Sequence, residues 1–356
     1  MRIGVLDVGS QAVNLVVTET GARPDRKKAF PARSWKTRTY VARRIASDGT
    51  IDGRGRDLVT SAVASAMDRA RRAGVDEIFA YGTAAIRDCP NRDQILGAIE
   101  DRAGIRLGAL SGIEEAELTF LAARSWLGRD AGQMLLLDIG GGTLEVASGE
   151  GQVPLRALSL PMGAGRLTRE FLDDGDPPSN AAVRRLHRHV RGQLREVVQP
   201  SDWPVPRSVV AASRTFYQLS RLNGAAPMRH GQHRPRHVQR KALRKWIERL
   251  SRLPSAKRRH LPGVSAHRAH QILAGAIVAY ELLEAFGEDS ARICPWGLRE
   301  GILLRRLSEK AVLSEKAVLS EEAVLSEEAV LPGERWSGAR ALWTPSPWSE
   351  RCLEPV

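Results

Sequence analysis

The first nineteen residues alternate apolar runs with a polar turn: RIGVLD, then VGSQA, then VNLVVTE. Two short Val-, Ile- and Leu-rich segments separated by a tight Gly9-Ser10 turn predict a pair of strands. Pro24, Pro31 and the charges around them mark a loop. From there helical and strand periods alternate. Residues 54–73 repeat apolar positions at helical spacing, IFAYGT reads as a short buried strand, and 93–103 is helical again. Ser111 followed three residues later by Glu114 is a capping box, so a helix starts at Ser111 and runs through Trp126. Strands interleaved with helices predict an α/β fold.

One pattern occurs twice. VLDVGSQAVNLVV around Asp7 and LLLDIGGGTLEVA around Asp138, 131 positions apart, both carry an apolar strand into an aspartate, an apolar residue, a glycine and a small residue before a strand resumes. Such a repeat predicts two similar domains facing a shared cleft. Glycine lets the backbone approach a ligand closely, and the amides it exposes form a concavity suited to anions. Gly9, Ser10, Gly140, Gly141, Gly142 and Thr143 are therefore candidate phosphate-binding residues, with hydroxyl donors at Ser10 and Thr143. Asp7 and Asp138 are the candidate ligands of a divalent cation that would neutralise phosphate charge.

Two further residues carry candidate chemistry. Glu114 is occupied by capping, whereas Glu115 stands about 100° further round the helix. A carboxylate there could take the proton of a water attacking a phosphoryl group, or be an ordinary solvated side chain. Arg87, with Thr83 and Asn91, follows the IFAYGT strand; its guanidinium suits either phosphate oxygens or the neighbouring Asp88.

Composition narrows the partners. A chain of 356 residues has material for two domains. Lys and Arg number 54 against 41 Asp and Glu, a formal charge of +13, which suits anionic partners or simply reflects a basic proteome. No window approaches the roughly 18 apolar residues of a membrane span, and the start lacks a signal-peptide pattern, so a cytoplasmic protein with no membrane partner is expected. Cys89, Cys294 and Cys352 have neither the count nor the spacing of a disulfide framework or zinc site.

Between Met228 and His260 stand twelve Lys or Arg, four His and one acid, Glu248. Part of this segment is an amphipathic helix turning Leu243, Ile247 and Leu250 inward. It could hold a polyanion through counterion release or be a solvated helix face. His230, His233 and His237 lack partner acids or cysteines, and no metal site is expected there. From Ser308 to Leu331 the chain repeats SEKAVL or SEEAVL. Six residues advance about 240° per repeat, so the apolar positions spread round the axis and no single face can be buried. A partly helical extension is expected, followed by a disordered tail with three tryptophans.

Taken together, these blocks resemble the exopolyphosphatase and guanosine pentaphosphatase (Ppx/GppA) family of the actin-like ATPase-domain superfamily. The likeness runs in order through DVGS at 7–10, GTAAIRD at 82–88, SGIEEA at 111–116, DIGGGTLE at 138–145, LSLPMGAGRLT at 158–168, VSAHRAHQILAGA at 264–276 and GLREG at 297–301. It covers residues 1 to about 306 and is most similar to the short actinobacterial type. The resemblance implies two actin-like (ribonuclease H-like) domains flanking an interdomain cleft: domain I over 1–127 and domain II over 128–307, with the repeat extension over 308–331 and the tail over 332–356.

The same resemblance implies release of terminal phosphate from inorganic polyphosphate or guanosine pentaphosphate, with Mg2+ or Mn2+, by a cytoplasmic homodimer with no specific nucleic-acid partner. Glu115 would be the catalytic base, and Asp7 and Asp138 would sit at the metal and attacking water. Gly9-Ser10 and Gly140 to Thr143 would form the phosphate loops, with Arg87 and Glu145 in the same cleft and Arg268 reaching polyphosphate from the second domain.

The chain also departs from the family pattern. Gln11-Ala12 replace Asn-Ser or Asn-Thr, Ala84 replaces serine, Thr143 replaces serine, and TYVARR near residue 40 replaces an arginine-bearing strand, so that a substrate arginine is either missing or displaced to Arg43 or Arg44. A weakened first-domain phosphate site is expected. Ala211-Ala212-Ser213 replace the glycine-rich turn that binds purines in this superfamily, and their Cβ atoms disfavour a nucleotide. A hydrolase and a catalytically weak sensor gripping polyphosphate or an alarmone both remain open, with an ATP-using phosphotransferase third.

Overall fold

In the computed structural model, which describes residues 1–19, 32–46, 48–128, 131–199 and 202–309, the sequence repeat becomes a repeat of topology. The first sheet contains β1 (Arg2–Val8), β2 (Ala12–Glu19), β3 (Ala32–Arg38), β4 (Glu77–Gly82) and β5 (Gly108–Ala109), in the order β3-β2-β1-β4-β5. Its half of the chain also contributes α1 (Gly53–Arg72), α2 (Ala84–Arg87), α3 (Arg92–Ala103) and α4 (Gly112–Leu127).

The second sheet contains β6 (Met134–Ile139), β7 (Leu144–Gly149), β8 (Arg156–Leu160), β9 (Ser208–Ala211), β10 (His237–Gln239) and β11 (Ser290–Ile293), in the order β10-β11-β9-β6-β7-β8. With it go α5 (Ala164–Phe171), α6 (Asn180–Val197), α7 (Ser213–Leu222), α8 (Arg240–Ser251), α9 (Ser255–Arg258), α10 (Ile272–Ala285) and α11 over 298–309. The run β8-β7-β6-β9-β11 repeats β3-β2-β1-β4-β5 in order and sense, antiparallel through the hairpins and parallel beyond them.

Local sequence explains most elements. β6 is covered on both faces, and Leu135, Leu136 and Leu137 are all buried, which is why it reads as an unbroken apolar run. Asp52 caps α1, accepting from the Gly55 amide at 2.6 Å, and Val59, Val63, Ala66 and Met67 bury one stripe. α10 is buried on nearly every side because α6, α8 and α5 pack around it. β3 escapes the periodicity of its sequence: ARSWKTR is a polar edge strand with no apolar run to announce it.

Two helices fill the space between the sheets. α4 turns Ala116, Phe120 and Ala123 onto Met134, Leu136 and Ala147 of the second sheet. Its Leu118 joins Ile302 and Leu303 of α11 against Ile3, Val5 and Val16 of the first. The helices cross so closely that a Cβ on Gly301 would overlap the Leu118 carbonyl. Thus α4, contiguous in sequence with the first half, packs on the second sheet, and α11 returns to the first. α11 continues to Glu309, past residue 307. The repeats from residue 310 onward, the tail with Cys352, and the Pro24 to Pro31 segment lie outside the described residues.

Candidate active site

Each hairpin presents its aspartate in the same pose. Register sets Asp7 opposite Asn14 on β1–β2 and Asp138 opposite Glu145 on β6–β7, and residues directly opposite share one face of a sheet. The turns match too: the Gly9 amide donates to Ala12 O at 3.0 Å and the Gly140 amide to Thr143 O at 2.8 Å. The turns meet across the domain gap. A Cβ on Gly141 would come within 2.9 Å of Ser10 Oγ, and one on Gly142 within 3.1 Å of Ala84 Cβ. A side chain at position 142 would therefore press on Ala84, and the bare backbone of Gly142 avoids that contact. Behind the second turn, the amides of Ala164, Gly165 and Arg166 donate to Gly140 and Gly141 carbonyls.

Glu115 sits where the capping box leaves it free. Ser111 N donates to Glu114 Oε2 at 2.8 Å and Glu114 N to Ser111 Oγ at 3.1 Å, so Glu114 is committed to the helix end. Glu115 is 7% exposed. Arg87 Nη1 donates to its Oε1 at 2.6 Å and to Leu110 O at 2.8 Å. The other edge of that guanidinium lies on Asp88, with Nε at 2.7 Å and Nη2 at 3.2 Å. Arg87 thus makes the pair with Asp88 that its sequence allowed, and adds a bond to Glu115. Asn91 is turned away, bonded to the backbone of Ile51. Thr83 stands beside Gly9, with Oγ1 3.5 Å from Val8 O.

Four acids share this region, and burial raises the pKa of each. Glu115 is pushed up to about 7 by burial, with Arg87 pulling down and Asp138 and Asp7 adding to the rise. Asp138 also reaches about 7 through burial, offset by the Ser213 hydroxyl and Arg268. Glu145 is held well above the usual carboxylate range by burial and then by Asp138 and Glu115, although Ser159 Oγ donates to its Oε1 at 3.1 Å. Burial raises Asp7 as well, against Arg299, whose Nε lies 3.9 Å from Oδ2, and Asn14, whose amide donates to Oδ2 at 3.2 Å.

Like charges held together out of water fit a hard divalent cation, for which oxygen donors are the right type. Among the described residues no group of three Asp, Glu, His or Cys side chains makes a preformed cage.

A wall of cations borders the acids. Lys36 and Arg38 alternate on β3, and register places Lys36 opposite Asn14 and hence in the same row as Asp7. Burial lowers the Lys36 pKa, as do Arg299, Arg268, Arg214 and Arg38 in turn, so cations from both halves gather around it. His267 is depressed to about 4 by burial and by Arg268, Arg38, Lys36 and Arg214, and is neutral at pH 7. Arg268 is lowered to about 10 by burial and Arg214, with Asp138 opposing.

Tyr40 bridges the halves: its ring lies 5.7 Å from that of His267, Arg43 sits over it at 5.3 Å, and Arg38 Nη1 donates to its hydroxyl at 3.2 Å. Arg44 instead pairs with Asp52 at 3.4 Å. Lys36, Arg38, Arg214 and Arg299 are not residues that the sequence pattern singles out. The one available signal is the i, i+2 spacing of Lys36 and Arg38, which means a shared face only once β3 is known to be a strand.

Elsewhere the basic segment after Met228 divides. Arg236 and Arg258 are buried and donate to backbone carbonyls, Leu243, Ile247 and Leu250 face the core, and Lys241, Arg244, Lys245 and Arg249 are exposed. Gln11 and Ala12 are buried. A cavity of about 510 Å³ adjoins the acids, lined among others by Arg87, Ser111, Thr143, Ser159 and Arg166.

Comparison with known proteins places this geometry. The profile of the Ppx/GppA phosphatase family matches residues 33–310. Exopolyphosphatase 1 of Mycobacterium tuberculosis (strain H37Rv) is 43% identical over 314 residues, covering 87% of this chain and 90% of its own. The crystal structure of the Aquifex aeolicus Ppx/GppA family member has a TM-score of 0.70 at 25% identity, covering 88% of this chain and 98% of that one. An exopolyphosphatase from Cytophaga hutchinsonii shares the fold with a TM-score of 0.74 at 20% identity, over 87% of this chain and 98% of that one. A match of that extent, carried on the same two-domain actin-like fold, makes this chain a member of the Ppx/GppA phosphatase family.

Proposed function

We propose that this protein is an exopolyphosphatase, a phosphoanhydride hydrolase that releases terminal orthophosphate from inorganic polyphosphate. The observation that carries this is the placement of Glu115: a buried carboxylate, held through Oε1 by Arg87, with an acid cluster on one side and the two facing glycine turns nearby. Among the described residues no hydrogen bond occupies Oε2, and that oxygen accepts the proton of the attacking water. The water oxygen forms the new bond to the terminal phosphorus, and the bond to the bridging oxygen breaks, that oxygen leaving with the shortened chain. Lys36, Arg38, Arg214 and Arg268 favour a substrate that carries charge along its length. Mg2+ or Mn2+ on Asp138 and Asp7 would neutralise phosphoryl charge and acidify a bound water. The working form in this proposal is a cytoplasmic homodimer, as the family likeness implies.

The test is phosphate release from a short polyphosphate and from guanosine pentaphosphate, with magnesium and with chelator, in the native protein and in Glu115→Gln. Magnesium-dependent release lost in the variant supports the hydrolase, and the faster substrate identifies its class. Binding without release from either substrate would sink the hydrolase in favour of a sensor.

A further inference from the structure

The loop after β3 holds a tyrosine in a conformation that bulky side chains rarely adopt. Tyr40 has φ of 51° and ψ of 36°, in the left-handed region. Backbone bonds pin this loop to the first glycine turn. The Thr39 and Tyr40 amides both donate to Gln11 O at 3.2 Å, and the Ala42 amide donates to Ser10 O at 2.8 Å. Glycine would meet the same bonds without a Cβ penalty, so an aromatic side chain here needs a reason of its own.

The contacts of that side chain supply one. The ring crosses to the second half, its centroid 5.7 Å from that of His267. His267 Nε2 lies 3.4 Å from Ser265 Oγ, which accepts from Gln218 on α7 at 2.7 Å. The Tyr40 hydroxyl accepts from Arg38 Nη1 at 3.2 Å, and the Arg43 guanidinium sits 5.3 Å from the ring centroid. Both arginines are exposed, and among the described residues neither forms an ion pair, whereas Arg44 is bound to Asp52. Register sets Arg38 opposite Ala12, whose carbonyl accepts from the Gly9 amide, so Arg38 stands beside the first glycine turn on the face it shares with Lys36.

We propose that Tyr40 is a positioning residue for polyphosphate binding: its ring and hydroxyl hold Arg38 and Arg43 beside the first glycine turn, where two guanidiniums without acidic partners meet the charges of the phosphate chain. This rests on polyphosphate being the ligand, as in the hydrolase reading above. A guanidinium already held in place loses less rotamer freedom when it takes an anion, so the gain appears in affinity rather than in rate.

The test separates side chain from backbone. Kd for a short polyphosphate is measured by titration calorimetry with magnesium, in the Glu115→Gln background so that no turnover intervenes, and KM and kcat are measured in the otherwise native chain. Y40F keeps the ring, loses the hydroxyl, and is expected to raise Kd and KM about threefold. Y40L loses both and is expected to raise them about tenfold, with kcat within about twofold of native. Y40G should weaken binding as much as Y40L, yet melt above it, because glycine relieves the left-handed strain. In an R38A background Y40F should add little, since the bond it removes is already gone. Native Kd in Y40L, or KM values that follow melting temperature across the three variants, would overturn the assignment while leaving the hydrolase intact. Absence of phosphate release by the native protein would overturn the hydrolase reading, with the Kd comparison still deciding the role of Tyr40. Absence of any polyphosphate binding would overturn both.

Discussion

Asp138 and Glu145 stand directly opposite each other across β6–β7, at the positions where the first hairpin sets Asp7 against Asn14. One half of the cleft therefore sets an uncharged amide against its aspartate, and the other sets a second carboxylate there. Both acids are raised, Asp138 to about 7, so their neutral forms favour the fold. The stability they contribute is fully present below the unfolded carboxylate range, near pH 4, and is lost as pH rises through the folded value. Glu145→Gln, which copies Asn14, should raise the melting temperature by about 5 °C at pH 8 and much less at pH 5. Thermal melts in chelator read this directly. Equal shifts at both pH values would exclude the charge explanation.

Glu115 must be ionised to take a proton, and its pKa lies at about 7. Turnover should rise about tenfold per pH unit below that value and level off above it. Glu115→Gln should remove about 10²–10⁴ of kcat while KM barely moves. Steady-state kinetics across pH check both statements, and a variant with native turnover would remove Glu115 from the mechanism.

Arg87 pulls the Glu115 pKa down against burial. Arg87→Ala should therefore move the acid limb of the rate profile upward by about one unit, with the loss at neutral pH partly recovered in alkali. If Arg87 acted only on substrate, KM would rise and the limb would stay in place.

The cationic wall should act on binding. Lys36→Ala and Arg268→Ala are each expected to raise KM for polyphosphate several-fold and to reduce the salt dependence of log KM by about one unit of slope. Arg44→Ala is the control, because Arg44 pairs with Asp52. Equal effects at all three positions would point to net charge rather than a defined wall.

Gly301 lies against the carbonyl of Leu118 where α11 crosses α4. Gly301→Ala should cost about 1–3 kcal/mol as the helices are forced apart, read as a lower urea midpoint at unchanged slope. Because α4 carries Glu115 from the same contact, turnover should fall with stability.

The sequence alone determined the features that depend on near neighbours. The paired Asp–glycine hairpins follow from strand period and turn chemistry, and α4 starts at Ser111 because Ser111 and Glu114 satisfy each other's amides. Spacing also isolated Glu115 from Glu114, since one residue's rotation on a helix separates a committed carboxylate from a free one. The family likeness added Glu145 and Arg268.

What the sequence left undecided was which long-range neighbour each side chain meets. Arg87 carried two possible roles until the fold set it between Asp88 and Glu115. Lys36 and Arg38 lie on a polar edge strand that has no apolar period, so only its pairing with β2 places them in the row of Asp7. Ser213 looked like part of a crowded turn, and its left-handed φ is set only once β9 lies beside β6. Local period and capping are properties of a few consecutive residues, whereas burial, pKa and the meeting of the two turns depend on how sheets built from distant segments pack around α4 and α11.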